Sequence, residues 1–198
     1  MTIHSLKVPL TTEIVTNLKL GDTVYLTGKI YTGRDEMHIH ALELLHQGKT
    51  LPIDLRGGAL YHCGPIVKKD NNTWKIVSAG PTTSSRMNSM EPEFIEKTGI
   101  KAIIGKGGMN QNVVETLKKH KGVYLSFTGG AGVLAARRIT KVIDVHWLEE
   151  LGVPEALWVL EVENFGPLIV SIDANGNSLY ELVNKEVQKN AQRLKEKI

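Results

Sequence analysis

Apolar positions in this chain follow two periods, and the change from one to the other marks its elements. Residues 22–31 (DTVYLTGKIY) are β-branched and aromatic between glycines and predict a strand. Over residues 34–46, Met37, Ala41, Leu42, Leu44 and Leu45 recur at helical spacing, and Gly48 ends the pattern. Residues 58–67 (GALYHCGPIV) predict a strand kinked or ended at Gly64-Pro65. Asp70-Asn71-Asn72 reads as a turn into a strand over 74–79, so the first half is β-rich.

The second half alternates. Pro92 sits near the start of a helix that Gly99 ends, and residues 101–104 form a short buried strand. Asn110 caps a helix with Val113, Val114 and Leu117 on one face and Lys118, Lys119 and His120 in its last turn. A strand over 123–127 precedes a small-residue helix over 133–138. This succession predicts parallel strands with crossover helices. Residues 158–162 and 168–172 read as a hairpin around Glu163-Asn164-Phe165-Gly166-Pro167, and Asn175-Gly176 as another turn. Leu179, Leu182, Val183, Val187, Ala191 and Leu194 trace one face of a long C-terminal helix with a lysine-rich opposite side. No repeat or linker interrupts the chain, so residues 1–198 read as a single α/β domain.

Composition narrows the function. Hydrophobic residues make up 41% and charged residues 23%, as in ordinary soluble proteins. No apolar run approaches the ~20 residues of a bilayer span, and the N-terminus has no signal-peptide pattern. A net charge of +3 without a basic, aromatic-interleaved stripe argues against nucleic acid. The one cysteine, Cys63, forbids an intrachain disulfide and fits a reducing, cytoplasmic setting. One thiol is also too few for a zinc ribbon or an iron–sulfur cluster.

Candidate chemistry gathers where strands give way to helices. In Gly80-Pro81-Thr82-Thr83-Ser84-Ser85-Arg86-Met87-Asn88, the hydroxyls either cap a helix or bind a ligand. Arg86 either forks onto a carboxylate ligand or makes a surface ion pair. Lys106, within Gly105-Lys106-Gly107-Gly108, is a point charge beside backbone open to a ligand, or a solvated lysine in a tight turn. The P-loop spacing is absent, and Gly129-Gly130-Ala131-Gly132 is explained as well by close packing as by phosphate. Arg34 and Asp35 sit at a helix start, where they either pair or bind. His38 and His40 point to different helix sides, and His62 and Cys63 to opposite strand faces, so these read as structural. The residues alone lead to an anion-binding α/β domain with Arg34, Thr82, Arg86 and Lys106 as its ligand candidates.

The runs GRDEMH, GPTTSSRMNSM, IIGKGGM and VHWLEELGVPEALWVLEVENFGPLIVSIDANGN occur in this order over nearly the whole chain. Together they resemble the β subunit of class I fumarate hydratases and L-tartrate dehydratases. The resemblance implies a swivelling β/β/α domain with a mixed sheet, crossover helices and a C-terminal helix. It implies a hydro-lyase interconverting fumarate and L-malate, or one acting on tartrate, in the cytoplasm. Its [4Fe-4S] cluster would be held by a partner α subunit, in an α2β2 assembly. By motif, Arg34, Thr82, Arg86 and Lys106 would bind the C4 dicarboxylate, Thr82 would also transfer the proton, and Asp35, His38 and Thr83 would support them. A binding module without catalysis is the alternative from another class.

Overall fold

A computed structural model describes residues 1–71 and 73–196. Among the described residues nine strands and seven helices follow one another as β1 (Ile3–Lys7), α1 (Thr12–Thr16), β2 (Thr23–Thr32), α2 (Asp35–His46), β3 (Ala59–Tyr61), β4 (Ile66–Asp70), β5 (Thr73–Ser78), α3 (Glu91–Thr98), β6 (Ala102–Gly105), α4 (Gln111–His120), β7 (Val123–Ser126), α5 (Gly132–Arg137), β8 (Ile139–His146), α6 (Leu148–Leu151), β9 (Leu157–Ile172) and α7 (Leu179–Lys195). A short 3-10 turn, Ser84–Met87, precedes α3.

The main sheet runs β1-β2-β3-β6-β7-β9-β8, and β9 also pairs with β2. The pairings therefore return to their start: β2, β3, β6, β7 and β9 form a closed ring, with β1 and β8 beside it. The β2-β3-β6-β7 pairs are parallel, as the alternation of strands and helices predicts, and β9 is antiparallel to its neighbours. This is the mixed sheet with crossover helices.

Alternation along each strand gives the sheet two apolar faces. Val24, Leu26, Tyr61, Ile104, Leu125, Trp158 and Phe165 share one core. Leu60, Ile103, Tyr124 and Val159 point the other way, onto Met37 and Ala41 of α2, Phe94 and Ile95 of α3, and Val114 and Leu117 of α4. Local signals bound the helices. The Asn110 side chain accepts from the Val113 N–H, and Gly99 closes α3 at φ 67°.

Two expectations need correction. Residues 157–172 are one long strand rather than a hairpin. Its partner β2 is continuous, pairing with β9 from Thr23–Ile169 to Tyr31–Val159. The polar Glu163-Asn164 step is absorbed as a register jump, with Asn164 at φ 49°. The run GALYHCGPIV divides into β3 of the ring and β4 of a separate two-stranded sheet with β5. The expected turn joins β4 and β5 through Asp70 and Asn71, while Asn72 lies outside the described residues. In consequence the Gly80 run does not follow a strand of the main sheet.

Candidate functional site

The carboxyl ends of the parallel strands gather the polar residues. Residues 82–84 lie between the ends of β3 and β6. The Thr82 N–H donates to the His62 carbonyl at 2.7 Å, the Ser84 N–H to the Lys106 carbonyl at 3.0 Å, and the Lys106 N–H to the Thr82 carbonyl at 3.3 Å. Thr83 and Lys106 form a parallel bridge. The hydroxyl-rich run thus acts as a short extra strand that carries Thr82 and Thr83 to the sheet edge beside Lys106. Among the described residues the Thr82 and Thr83 hydroxyls make no hydrogen bond and Lys106 makes no ion pair.

Arg34 arrives from β2. The Gly33 N–H donates to the Tyr61 carbonyl at 3.1 Å, and Arg34 occupies the N-cap of α2. Its Nε lies 3.1 Å from Glu155 Oε1. Burial pushes the Glu155 carboxyl above its ordinary value, against the opposing pull of Arg34. Gly64 makes room, since a Cβ there would stand 2.7 Å from Arg34 Nη1 and 2.7 Å from the Pro154 carbonyl. Arg86, in the 3-10 turn, reaches across to Asp35: Nε donates to Oδ1 at 3.1 Å, and a terminal nitrogen lies 2.7 Å from Oδ2. Arg34, Asp35, Arg86, Thr82, Thr83 and Lys106 therefore follow one another along a single edge. Both arginines already face carboxylates, so an incoming anion meets a partly compensated site with Lys106 as its free cation.

The edge is open. A groove of about 790 Å³ between α3 and α4 is lined by Arg86 but by none of Arg34, Thr82 or Lys106, and it contains Glu93 and Glu115. The chemistry of an anion site lies beside that groove, on the strand ends, and not within it.

Beneath the edge lies a trio that the sequence did not disclose. His38, His62 and Glu91 are fully buried. Glu91 Oε2 is 2.9 Å from His62 Nε2 and 3.4 Å from His38 Nε2. His38 Nδ1 donates to the Arg34 carbonyl at 2.7 Å, which ties His38 to Arg34. His62 Nδ1 is 2.9 Å from Ser84 Oγ, to which the Tyr124 hydroxyl also reaches at 3.0 Å. Burial raises the Glu91 carboxyl, but the charges and hydrogen bonds of His62 and His38 outweigh it and hold it down at about 2. Burial lowers His38, yet the Glu91 carboxylate prevails and leaves it above 6.5. His62 stays below 6.5, because burial and the charged His38 together outweigh Glu91. Of the two rings facing this carboxylate, His38 is therefore the one that holds a proton more readily. His62 read as a structural strand residue, and Glu91, beside Pro92, was not singled out. Only the long-range packing of α2, β3 and α3 brings them together, and no local pattern announces that.

His40 stacks edge-on against Trp147, apart from the trio. Cys63 is buried, and burial pushes its thiol up to about 12. It is the chain's single cysteine, and it faces inward.

A protein-family model described as Fumarase C-terminus matches residues 2–183. Over 178 residues the chain is 53% identical to a Methanocaldococcus jannaschii protein bearing the name of an L(+)-tartrate dehydratase β subunit, covering 90% of this chain and 91% of that one. It is 48% identical over 174 residues to the L(+)-tartrate dehydratase β subunit of Escherichia coli, covering 88% and 85%. It is 42% identical over 197 residues to a Geobacillus stearothermophilus protein bearing the name fumarate hydratase class I, covering 99% of this chain but 37% of that longer one.

Proposed function

The chain belongs to the fumarase C-terminus family, that of the β subunits of L-tartrate dehydratase and class I fumarate hydratase, and on that premise we propose that it supplies the carboxylate-binding half of a hydro-lyase site. The substrate is a C4 dicarboxylate, and the reaction adds water to fumarate to give L-malate, or runs in reverse. The observation that carries this reading is the convergence of Arg34, Thr82, Arg86 and Lys106 on one open edge, with Lys106 free of any ion pair among the described residues. The [4Fe-4S] cluster belongs to a partner α subunit, consistent with the single cysteine of this chain, and the two chains assemble as α2β2.

Within this chain each residue has a distinct task. Lys106 neutralises one substrate carboxylate as a point charge. Arg34 and Arg86 present planar donors to the other, their carboxylate partners keeping each guanidinium oriented before substrate arrives. In the dehydration direction a C–H proton leaves as the neighbouring hydroxyl departs, and negative charge accumulates on the adjacent carboxylate. The three cations stabilise that charge. Thr82 accepts or relays the proton through its hydroxyl, a role that requires an electropositive site closed to water. In this reading the partner subunit completes that closure.

Anaerobic reconstitution with an iron-loaded α subunit, followed by a screen of C4 hydroxy acids, tests the proposal. Fumarate hydration by the complex, and none by this chain alone, is the expected result. Tight dicarboxylate binding by this chain without a partner, and no turnover by the complex, would replace the enzyme reading with a binding module. A second reading, dehydration of L-tartrate, is favoured by the 48–53% identity to β subunits of that name over most of both chains. The same screen separates the two.

A further inference from the structure

We propose that Glu91 is a positioning residue that clamps together the two junctions carrying the substrate-binding groups, holding the Arg34 junction through His38 and the Thr82 junction through His62. The inference rests on the dicarboxylate reading above. The three side chains come from three elements: His38 from the first turns of α2, His62 from the end of β3, and Glu91 from the first residue of α3. None contacts solvent, so none binds substrate itself. Each histidine turns Nε2 to the same carboxylate oxygen, at 3.4 Å and 2.9 Å, and the opposite ring nitrogen to a different junction.

The outward contacts reach the site in one step. His38 Nδ1 donates to the Arg34 carbonyl, which also accepts the His38 backbone N–H at 3.1 Å. His62 holds the other junction twice. Its carbonyl takes the Thr82 N–H, and its Nδ1 meets Ser84 Oγ. The contacts continue beyond the rings. The Tyr124 hydroxyl lies 3.0 Å from both Ser84 Oγ and the Gly107 carbonyl, Ser84 Oγ lies 2.9 Å from His62 Nδ1, and His38 Nδ1 donates to the Arg34 carbonyl. Asp35 adds a second negative charge near both rings. The seat is shaped for this path, since a Cβ on Gly105 would fall 1.9 Å from Ser84 Oγ and 3.3 Å from His62 Nδ1.

Stability does not account for the trio. Burying ions costs several kcal/mol each, and well-packed apolar residues of similar volume usually serve a fold as well or better. What a charged trio provides instead is a fixed spacing between three elements, because the close approach of both rings to one carboxylate oxygen is what compensates its buried charge, and a displaced ring would leave that charge in apolar surroundings.

Glu91→Gln in the assembled complex is the test. It keeps the side chain's shape but removes the negative charge that both histidines face. The expected result is a tenfold or greater loss of kcat/KM with α-subunit binding unchanged, recovered in part by Glu91→Asp. Ring 15N NMR of this chain should show the His38 and His62 titrations moving to lower pH, with the backbone amide signals of both Arg34 and Thr82 shifting. Wild-type kcat/KM in Glu91→Gln, or unperturbed amides, would overturn the clamp. So would a stoichiometric divalent ion held by the trio, whose ligand atoms lie within 4.8 Å of one another. If Glu91→Gln does not fold, Ser84→Ala cuts only the Thr82 arm; its Thr82 amide should shift while that of Arg34 stays, and the converse sinks the idea. If the wild-type complex turns over no C4 acid, the dicarboxylate reading fails while the NMR arm still decides the clamp.

Discussion

At the residue scale the site is made as much by small residues as by charged ones. Gly105 sits in a run whose glycines were read as leaving backbone open to a ligand. The space it actually preserves belongs to the Ser84 hydroxyl, 1.9 Å from where a Cβ would stand. Gly105→Ala is therefore expected to destabilise the fold by about 1–3 kcal/mol, the usual scale of overpacking, and to lower activity in the complex by displacing residues 82–84. Urea unfolding and steady-state rates measure both. Arg86 shows the opposite relation: the sequence left open a ligand role or an ion pair, and the structure shows the pair, with Asp35, on the edge where a ligand role would place it. Arg86→Lys keeps the charge but loses the planar fork. It should reduce kcat/KM of the reconstituted complex about tenfold, the worth of one charged hydrogen bond at ~1.5 kcal/mol. A wild-type rate would show that Arg86 acts only on Asp35. The charged candidates were legible because strand-to-helix junctions concentrate them. Glu91, His62 and Glu155 were not, since each matters only through neighbours distant in sequence.

At the element scale, local periodicity revealed α2, α3, α4, α5, α7 and the central parallel strands but missed the one-turn helices α1 and α6 and failed at bent or edge strands. In β8 the partly buried apolar residues are Ile139, Val142 and Val145, spaced by three. Register shifts after Ile139 and after Val142 account for that spacing, because each bulge inserts a residue into a period of two. The pattern then resembles neither strand nor helix, and the strand went unseen. In β9 the reverse happened: a polar step with Gly166-Pro167 imitated a turn inside one continuous strand. The last helix, α7, was read correctly as amphipathic, yet Leu182, Val183, Val187 and Leu194 of its apolar face are exposed. Leu182→Ser and Val187→Ser should accordingly change the unfolding free energy of this chain by no more than about 0.5 kcal/mol each, as for other exposed sites. A loss of several times that in urea unfolding would mean that the face is covered in solution.

At the scale of the whole molecule, buried carboxylates at two separated places tie the fold to pH. Asp22 fastens the start of the chain to the ring: its oxygens accept from the Thr2 N–H at 2.8 Å and the Lys19 N–H at 3.1 Å, and lie 3.0 Å from His4 Nε2. The Thr2 bond foremost, with His4 and Lys19, holds its carboxyl at about 2 against an ordinary 3.8 despite burial. Glu91 is likewise held at about 2 against 4.5. For both, the folded state binds the proton less readily than the unfolded one. Their stabilisation is therefore present above the ordinary value and is lost as pH falls towards 2. His62, lowered by burial, acts earlier in the same direction: below 6.5 the unfolded chain takes up a proton that the folded chain refuses. His38, raised, contributes fully below 6.5 and loses its contribution as pH climbs above it. Stability should thus decline gently below pH 6.5 and steeply below pH 4.5. Asp22→Asn should be less stable near neutrality by on the order of 1–3 kcal/mol, since the amide keeps some of the carboxylate's hydrogen bonds but not its charge. Because the variant lacks the titrating group, its deficit should shrink as pH falls from 3.8 towards 2. Urea titrations across that range decide the matter: converging curves place the acid-sensitive anchor at Asp22, and parallel curves place it elsewhere.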